Sequence, residues 1–323
     1  MRNKKKKIFL ISGDPNSINS EIIFKSWLKL NNTIRDRLYI ISNYNLIKSQ
    51  FQKLKYRVKL KNVKHLDDIN KKNEIKIINV ELKFKNSFNV KNKDASIFIQ
   101  KCLKLGHKLS LKKGTAGLIN CAINKNLLNK KNFGVTEFLA SKCNIKDKSE
   151  VMMIRGKNFS VCPITTHIDL KNVSQKIKSQ LIITKLRTIK KEFQKLFKKN
   201  PNIGILGLNP HNAEFKPTSE EVKEIIPAIS FLKRNGYKIK GPLVSDTIFV
   251  KDYKNYDILV GMYHDQVLAP FKTIYKFDAI NVTLGLKYLR VSPDHGVAAN
   301  LIRKNKANAS SLTECIYFIN KFG

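Results

Sequence analysis

Short apolar runs alternate with longer amphipathic stretches along the chain, and this alternation constrains the possible folds most strongly. Runs such as Ile8–Ser12, Leu38–Ser42 and Ile258–Met262 are apolar and rich in β-forming residues. The longer stretches repeat apolar residues at helical spacing, as in Val173–Lys199. Strands that alternate with helices build a parallel or mixed sheet covered by helices. The sequence therefore predicts an α/β protein.

The same patterns predict further elements of this fold. Other strands are expected at Ile75–Val80, Ala116–Asn120, Val151–Arg155, Ser160–Ile164, Ile203–Leu208 and Ile280–Thr283. Other helices are expected at Ser20–Leu30, Leu46–Leu54, Asp94–Leu109, Thr218–Asn235, Ala298–Leu301 and Leu312–Lys321. Asp94 is expected to cap its helix, and Thr218 to form a capping box with Glu221. Pro227 predicts a kink, and Gly236 suits the position after the helix end.

The formal net charge of +38 raises the question of a nucleic-acid partner. The basic residues are mostly lysine, whereas arginine is the residue that reads base edges and phosphates with two parallel hydrogen bonds. They are also spread along the whole chain and accompany abundant Asn and Ile. This pattern favours a solvated surface that reflects a global residue bias, and the nucleic-acid reading stays an alternative.

No apolar run approaches the roughly 20 residues that span a bilayer. The segment Met1–Ser12 is basic and then briefly apolar, without the longer apolar region of a signal peptide. We therefore expect a cytoplasmic protein that has no membrane partner. The cysteines show no CxxC pairing and are expected to be reduced core residues: Cys102, Cys121, Cys143, Cys162 and Cys315.

Polar clusters follow several predicted strands directly, at the carboxyl ends where α/β sheets bind ligands. They are Gly13–Pro15, Thr165–His167, Asn209–His211 and Tyr263–Gln266. The last three contain His167, His211 and His264, and neutral imidazoles suit Zn²⁺, Co²⁺ and similar ions. Because these histidines are far apart in sequence, only the fold could assemble them into a metal site. A hydrogen-bonded structural role for each histidine stays open.

Familiar cofactor and nucleophile motifs are missing from the chain. There is no GxGxxG and no P-loop, and the segment Gly204–Gly207 is too short for a dinucleotide fingerprint. Any NAD site must therefore use another geometry. No GxSxG elbow supports a serine hydrolase. The segment Asn281–Gly296, with Lys272, could supply cations for a phosphate or carboxylate, although Lys272 could equally be a surface lysine.

Two specific motifs, Gly207–His211 and Met262–Gln266, resemble those of the 4-hydroxythreonine-4-phosphate dehydrogenase family, which acts in pyridoxal phosphate synthesis. Further matching pieces occur in the same order, and together they cover essentially the whole chain. These pieces are Ser12–Pro15 with Glu21 and Ile22, Ile123–Lys125, Gly134–Ala140, Thr165–His167, Glu214, Gly241–Leu243 with Asp246 and Thr247, Tyr256 with Asp257, and Asn281–Gly296.

The resemblance implies a fold similar to isocitrate and isopropylmalate dehydrogenases: two interlocked lobes around a mixed sheet, in three α/β/α layers. Residues 1–323 would then form a single catalytic unit, with the lobe boundaries left open. It also implies a homodimer with a shared active site, and a small phosphorylated substrate rather than nucleic acid. The implied cofactors are NAD or NADP and a divalent metal, which could be zinc, magnesium or cobalt.

The implied reaction is NAD-dependent oxidative decarboxylation of 4-phosphooxy-L-threonine to 3-amino-2-oxopropyl phosphate, a step of pyridoxine 5'-phosphate synthesis. The family's metal ligands match His167, His211 and His264. Its substrate contacts match Thr136, Lys272, Asn281 and Arg290. Asp246, Asp265 and Lys272 are the candidate catalytic groups, and the aspartates could either transfer protons or orient a ligand. The cofactor is expected near Asn209, Asp246, Thr283 and Gly285.

Three departures from the family pattern bear on the substrate. Val135 stands where the family usually has histidine, and it cannot donate that histidine's hydrogen bond. The turn after Gly13–Pro15 lacks two usual glycines, and Ala213 replaces another. A related dehydrogenase for 4-phospho-threonate or 4-phospho-erythronate is therefore the first alternative. A basic nucleic-acid-binding or degenerate scaffold protein is the distant one.

Overall fold

The computed structural model describes residues 6–66, 73–128, 134–145, 147–276 and 278–323. The strands in these ranges are β1 (Lys7–Ile11), β2 (Leu38–Ser42), β3 (Lys59–Asn62), β4 (Glu74–Asn79), β5 (Thr115–Asn120), β6 (Val151–Arg155), β7 (Ser160–Pro163), β8 (Ile203–Leu206), β9 (Ile239–Leu243), β10 (Ile258–Gly261), β11 (Ile280–Leu284) and β12 (Arg290–Pro293).

The α-helices in the same ranges are α1 (Asn19–Lys29), α2 (Asn32–Arg35), α3 (Tyr44–Lys53), α4 (Asn92–Ser110), α5 (Val135–Lys142), α6 (Val173–Lys176), α7 (Ser179–Phe197), α8 (Ile226–Arg234), α9 (Ser245–Ile248), α10 (His264–Tyr275) and α11 (Ser310–Phe322). A π-helical turn, Glu221–Ile225, precedes α8. Short 3₁₀ turns lie at Lys125–Leu127, Leu170–Asn172, Pro210–Phe215, Asp252–Asn255 and Ala299–Leu301. No helix within the described ranges is long and apolar enough to cross a membrane.

The chain divides into two compact units. The first unit comprises Met1–Asn144 and Leu286–Gly323, and the second unit comprises Ile145–Gly285. In the first unit the strands lie in the order β3-β4-β2-β1-β5-β12, and every pairing between them is parallel. A buried parallel sheet needs helices on both of its faces.

Two helices of the first unit cover opposite faces of this sheet. A Cβ on Gly106 of α4 would lie 3.1 Å from the Leu118 side chain on β5. A Cβ on the preceding strand residue, Gly117, would lie 2.9 Å from Ile319 of α11. Because successive strand residues point to opposite faces, α4 and α11 sandwich the sheet between them.

The second unit has a mixed sheet in the order β11-β6-β7-β10-β8-β9. The pairs β11-β6 and β6-β7 are antiparallel, while β7, β10, β8 and β9 run parallel to one another. A core that includes Phe159, Leu259, Val267 and Phe271 packs α10 onto this sheet. The parallel half therefore has one carboxyl edge, at which four consecutive strands end.

The predicted strands and most of the predicted helices are confirmed within a few residues of their ends. Two cap predictions are wrong: Asp94 lies inside α4, which begins at Asn92, and Glu221 does not close a capping box. The Glu221 carboxylate bonds to the segment after β8 instead. The prediction at Gly236 is confirmed by its left-handed backbone (φ +74°). The kink expected at Pro227 takes the form of the π-helical turn, which widens the helix just before the ring that lacks an N–H.

Candidate active site

Four parallel strands of the second unit place their carboxyl ends side by side, in the order β7, β10, β8, β9. The segments that follow them carry His167, His264, His211 and Asp246 in the same order. Neighbouring strands lie about 4.8 Å apart, so each of these segments starts about one strand spacing from the next. The fold thus gathers at one edge, which we call the histidine edge, residues that are far apart in sequence.

His167 and His264 lie close together on the histidine edge. Their ring centroids are 5.7 Å apart. The Nδ1 atom of His264 lies 2.6 Å from Oδ1 of Asp265, which is itself exposed. With the proton on Nδ1 donated to this carboxylate, Nε2 becomes the nitrogen that can ligate a cation. Asp265 is therefore placed to orient the His264 ring.

His211 opens a left-handed turn of the backbone. The φ angles of five consecutive residues lie between +49° and +57°, namely His211, Asn212, Ala213, Glu214 and Phe215. Left-handed backbone angles cost a residue with a Cβ roughly 1–2 kcal/mol of conformational free energy. The cost is smaller for asparagine than for the other residues of this turn. Such a turn persists only where its surroundings hold it in place.

Gln266 joins three of the four strand ends. Its Oε1 accepts a hydrogen bond from the Met262 backbone N–H at 2.6 Å, after β10. Its Nε2 donates to the Gly207 carbonyl at 2.6 Å, after β8, and to the Ser245 hydroxyl at 2.8 Å, after β9. One side chain thus fixes the segments that carry His264, His211 and Asp246. Asp246 itself is exposed, next to Ser245 at the start of α9.

The other predicted residues of the second unit have varied surroundings. Lys272 lies on α10 eight residues after His264, about 12 Å further along the helix axis at 1.5 Å per residue. The Oδ1 atom of Asn281 on β11 is buried and has no hydrogen-bond partner among the described residues. Thr283 is buried on the same face of β11, and Gly285 directly follows the strand with a left-handed φ of +89°. The Asn209 amide nitrogen donates to the carboxylates of two neighbouring glutamates.

The first unit brings Arg290 and Thr136 together. Arg290 is only 3% exposed, and its Nε donates to Oδ1 of Asn120 at 2.7 Å. Its Nη1 donates to the Thr136 hydroxyl at 3.2 Å. Asn120 ends β5 and Arg290 starts β12, which are parallel neighbours, while Thr136 lies in the first turn of α5. These two hydrogen bonds orient the guanidinium plane.

Burial lowers the pKa of Arg290 to about 10, an effect that Tyr288, Cys315 and Glu137 partly oppose. The guanidinium therefore remains charged at neutral pH. A buried guanidinium is a strong hydrogen-bond donor, and its charge favours an anionic ligand. This geometry fits the predicted role of Arg290 and Thr136 as contacts to a phosphate or carboxylate.

The donor set of the histidine edge fits a divalent metal. Three imidazoles that follow neighbouring parallel strands match the ligand type that zinc and cobalt prefer, and one of them has a carboxylate beside a ring nitrogen. The structure brings His167 and His264 together but does not add His211 to the pair. Within the described ranges, no three His, Cys, Asp or Glu side chains converge closely enough to hold a metal ion.

Sequence reasoning missed three supporting residues: Asn120, Glu221 and Gln266. The sequence places Gln266 in the motif Met262–Gln266 and predicts that Glu221 closes a capping box. Neither role predicts the hydrogen bonds that these side chains make to the ends of other strands. Asn120 is the polar last residue of an apolar strand, which is close to the signal that identified the histidine clusters. The same rule, applied to every polar residue at a strand end, would have found it.

Comparisons with known proteins agree with this fold. A family model described as "Pyridoxal phosphate biosynthetic protein PdxA" matches residues 34–319. A 4-hydroxythreonine-4-phosphate dehydrogenase from Sulfurihydrogenibium sp. (strain YO3AOP1) is 35% identical over 318 residues, which are 96% of this chain and 96% of the relative.

Solved structures give the same picture. A 4-hydroxythreonine-4-phosphate dehydrogenase from Klebsiella pneumoniae superposes with a TM-score of 0.84 at 26% identity, covering 98% of each chain. A beta-decarboxylating dehydrogenase from Thermococcus kodakarensis matches with a TM-score of 0.51 at 9% identity, over 97% of this chain and 82% of that one. The second likeness concerns the fold alone, and it confirms the predicted class, which includes isocitrate and isopropylmalate dehydrogenases.

Proposed function

Because the chain belongs to the pyridoxal phosphate biosynthetic protein PdxA family, we propose that it oxidises and decarboxylates 4-phosphooxy-L-threonine with NAD. The product is 3-amino-2-oxopropyl phosphate, a precursor in pyridoxine 5'-phosphate synthesis. The observation that carries this proposal is the placement of His167, His264 and His211 on the segments that follow three neighbouring parallel strands. The pair His264–Asp265 resembles the carboxylate-supported histidines of metal sites.

The proposed reaction combines a proton transfer, a hydride transfer and the loss of CO₂. The C3 hydroxyl of the substrate loses its proton to a base, and C3 passes a hydride to NAD⁺. The resulting β-keto acid loses CO₂, and the enolate that remains takes up a proton. A divalent metal, held by His167, His211 and His264, would make the hydroxyl more acidic and stabilise negative charge on its oxygen.

The chain's own residues bind and orient the substrate. Arg290 and Thr136 present a fixed cation and a hydroxyl to an anionic group of the substrate. Lys272 adds a second charge, and the buried Oδ1 of Asn281 offers an acceptor to a donor group. Asp246 and Asp265 are exposed carboxylates at the histidine edge, suited to accept the hydroxyl proton or to orient a ligand. Asn209, Thr283 and Gly285 are the proposed contacts to NAD, or to NADP in its place.

We also propose a homodimer with a shared active site, acting in the cytoplasm. Large apolar side chains are exposed in three loops of the second unit: Leu170 (69%), Phe215 (50%) and Val250 (77%). Each follows a strand whose carboxyl end belongs to the histidine edge. We propose that these three side chains lie in the dimer interface, since exposed apolar surface that forms a continuous patch marks interaction sites. Light scattering at micromolar concentration tests this: a dimer mass supports it, and a monomer mass opposes it.

A related dehydrogenase is the second candidate, and Val135 favours it. Val135 is the first residue of α5 and directly precedes Thr136, so an apolar side chain adjoins a proposed substrate contact. The test is NADH formation with 4-phosphooxy-L-threonine, 4-phospho-threonate and 4-phospho-erythronate side by side. The highest kcat/KM for the first compound supports the main proposal, while preference for either other compound supports the alternative. No NADH from any of them, with steeply salt-dependent binding to RNA, would point to the distant alternative.

A further inference from the structure

We infer that the buried carboxylate of Glu221 is a positioning residue for His211. It holds the start of the left-handed turn and so fixes the direction in which the imidazole points. The inference rests on the proposed function, because it takes His211 to be a metal ligand. It assigns the role to a residue that lies ten positions further along the chain and on a different element.

Glu221 is fully buried, at 0% exposure, in the π-helical turn that precedes α8. Its Oε1 accepts hydrogen bonds from the backbone N–H groups of Leu208 and Asn209, both at 2.8 Å. Its Oε2 accepts from the Asn209 side-chain amide at 3.0 Å. Three donors from the two residues that enter the turn therefore converge on one carboxylate.

The carboxylate is held in its charged form by these bonds. Burial raises the pKa of Glu221, but hydrogen bonds from Asn209, Leu208 and its own backbone outweigh that effect, and the pKa lies below its usual value. Hydrogen bonds to an ionised acceptor are about twice as strong as neutral ones. The donors are all neutral, and two of them are main-chain groups, so the carboxylate fixes the backbone path itself.

The turn needs the hydrogen bonds to Glu221 because its backbone conformation is unfavourable. His211, Ala213, Glu214 and Phe215 all have a Cβ and a left-handed backbone, without a glycine to relieve the strain. Asn212 secures the far side: it is buried, and its Nδ2 donates to the Pro242 carbonyl at 3.3 Å. Glu221 therefore fixes the residues before His211, and the Asn212 side chain fixes the backbone directly after it.

The strand end is packed closely against the turn and against Glu221. A Cβ on Gly207 would lie 2.0 Å from Oδ1 of Asn212 and 3.2 Å from Oε1 of Glu221. Gly207 is also the residue whose carbonyl Gln266 holds. The strand end, the carboxylate and the turn are thus packed as one assembly, and loss of the carboxylate charge would free the turn to relax.

The test is a Co²⁺ titration of the full-length, metal-stripped protein, followed by the visible absorption of the bound ion. Glu221→Gln should weaken Co²⁺ binding by about 10-fold or more, since a partner that orients a metal ligand is typically worth 10- to 100-fold in affinity. Glu224→Gln is the matched control. It lies in the same π-helical turn and bonds the Ser179 backbone at 2.8 Å, away from the histidine edge. It should leave Co²⁺ affinity unchanged.

Two double variants separate positioning from general loss of stability. On a His211→Ala background, Glu221→Gln should have no further effect on affinity, because it acts through His211. Adding Ala213→Gly to Glu221→Gln should restore part of the affinity, because glycine adopts φ +51° without steric cost. Hydrogen exchange of the Leu208 and Asn209 amides, measured without metal, should be faster in Glu221→Gln than in Glu224→Gln.

The outcomes distinguish the two levels of the proposal. If His211→Ala binds Co²⁺ as tightly as the wild type, His211 is not a ligand, and the ligand assignment falls together with this inference. If His211→Ala weakens binding but Glu221→Gln matches Glu224→Gln in affinity and exchange, the ligand assignment stands and the inference is overturned. If Glu221→Gln does not fold, unchanged Co²⁺ affinity in Asn209→Ala, which removes one of the three donors, would also overturn it.

Discussion

The two units present their functional side chains in opposite ways. In the first unit, Arg290 is buried at 3% exposure and fixed by Asn120 and Thr136 on regular elements. In the second unit, His167 and His211 are exposed on segments that follow strands, and His211 opens a strained turn. Burial therefore preorganises the cation of the first unit. The histidine edge depends instead on Glu221 and Gln266, which hydrogen-bond the segments that carry the histidines. The difference indicates where substitutions at a distance should affect the chemistry.

The largest expected effect comes from the histidine edge. His264→Ala should lower kcat by about 100-fold or more, since it removes a proposed ligand of the ion that activates the hydroxyl. Circular dichroism and melting temperature should change little, because the side chain is half-exposed. His65→Ala, an exposed histidine of the first unit, is the control and should keep full activity. Wild-type turnover in His264→Ala would remove its assignment as a ligand.

Arg290→Lys probes the preorganised cation of the first unit. Lysine keeps the charge but loses the planar fork that bonds Asn120 and Thr136. We expect KM for the phosphorylated substrate to rise on the order of 10- to 100-fold, because a hydrogen bond to a charged group is worth about 1.5–3 kcal/mol. Arg57→Lys, at an exposed position, provides the comparison. An unchanged KM in Arg290→Lys would place the substrate anion elsewhere.

Asn120→Ala tests whether the first unit depends on its supports as the second unit does. The change leaves the buried Nε of Arg290 without its acceptor, which costs about 1–3 kcal/mol of unfolding free energy. We expect a measurable loss in chemical denaturation and a KM increase smaller than that of Arg290→Lys. Asn120→Asp keeps an acceptor and should recover stability. Equal stability of Asn120→Ala and the wild type would mean that the bond contributes nothing net.

The smallest expected effect is the acid sensitivity that Glu221 gives to the second unit. The pKa of Glu221 is lowered in the folded state from its ordinary value of 4.5. Its stabilisation is therefore present above pH 4.5 and is lost as the pH falls below that value towards the folded-state pKa. The melting temperature of the wild type should fall more than that of Glu221→Gln between pH 5 and pH 3. Parallel curves for the two proteins would contradict a stabilising carboxylate at this position.

The sequence predicted the main strands well because their apolar runs are buried on both faces and need no tertiary information. It missed β3, β9 and β12, whose residues Lys59, Pro242 and Arg290 do not resemble strand formers. α10 was also missed, because Pro270 interrupts its pattern. The histidine clusters could be found because polar residues directly after strands form a local signal. The supporting contacts of Glu221 and Gln266 could not, since they join strand ends that only the folded sheet brings together.

The most direct test of the metal-dependent dehydrogenase is NADH production from 4-phosphooxy-L-threonine before and after removal of metal. The protein is stripped with a chelator, assayed with NAD⁺ at 340 nm, and assayed again after addition of Zn²⁺, Mg²⁺ or Co²⁺. We predict no NADH from the stripped protein and recovery of turnover with at least one of the three ions. Full turnover without metal would contradict the role of the histidine edge. No turnover with any ion restored would contradict the proposed reaction.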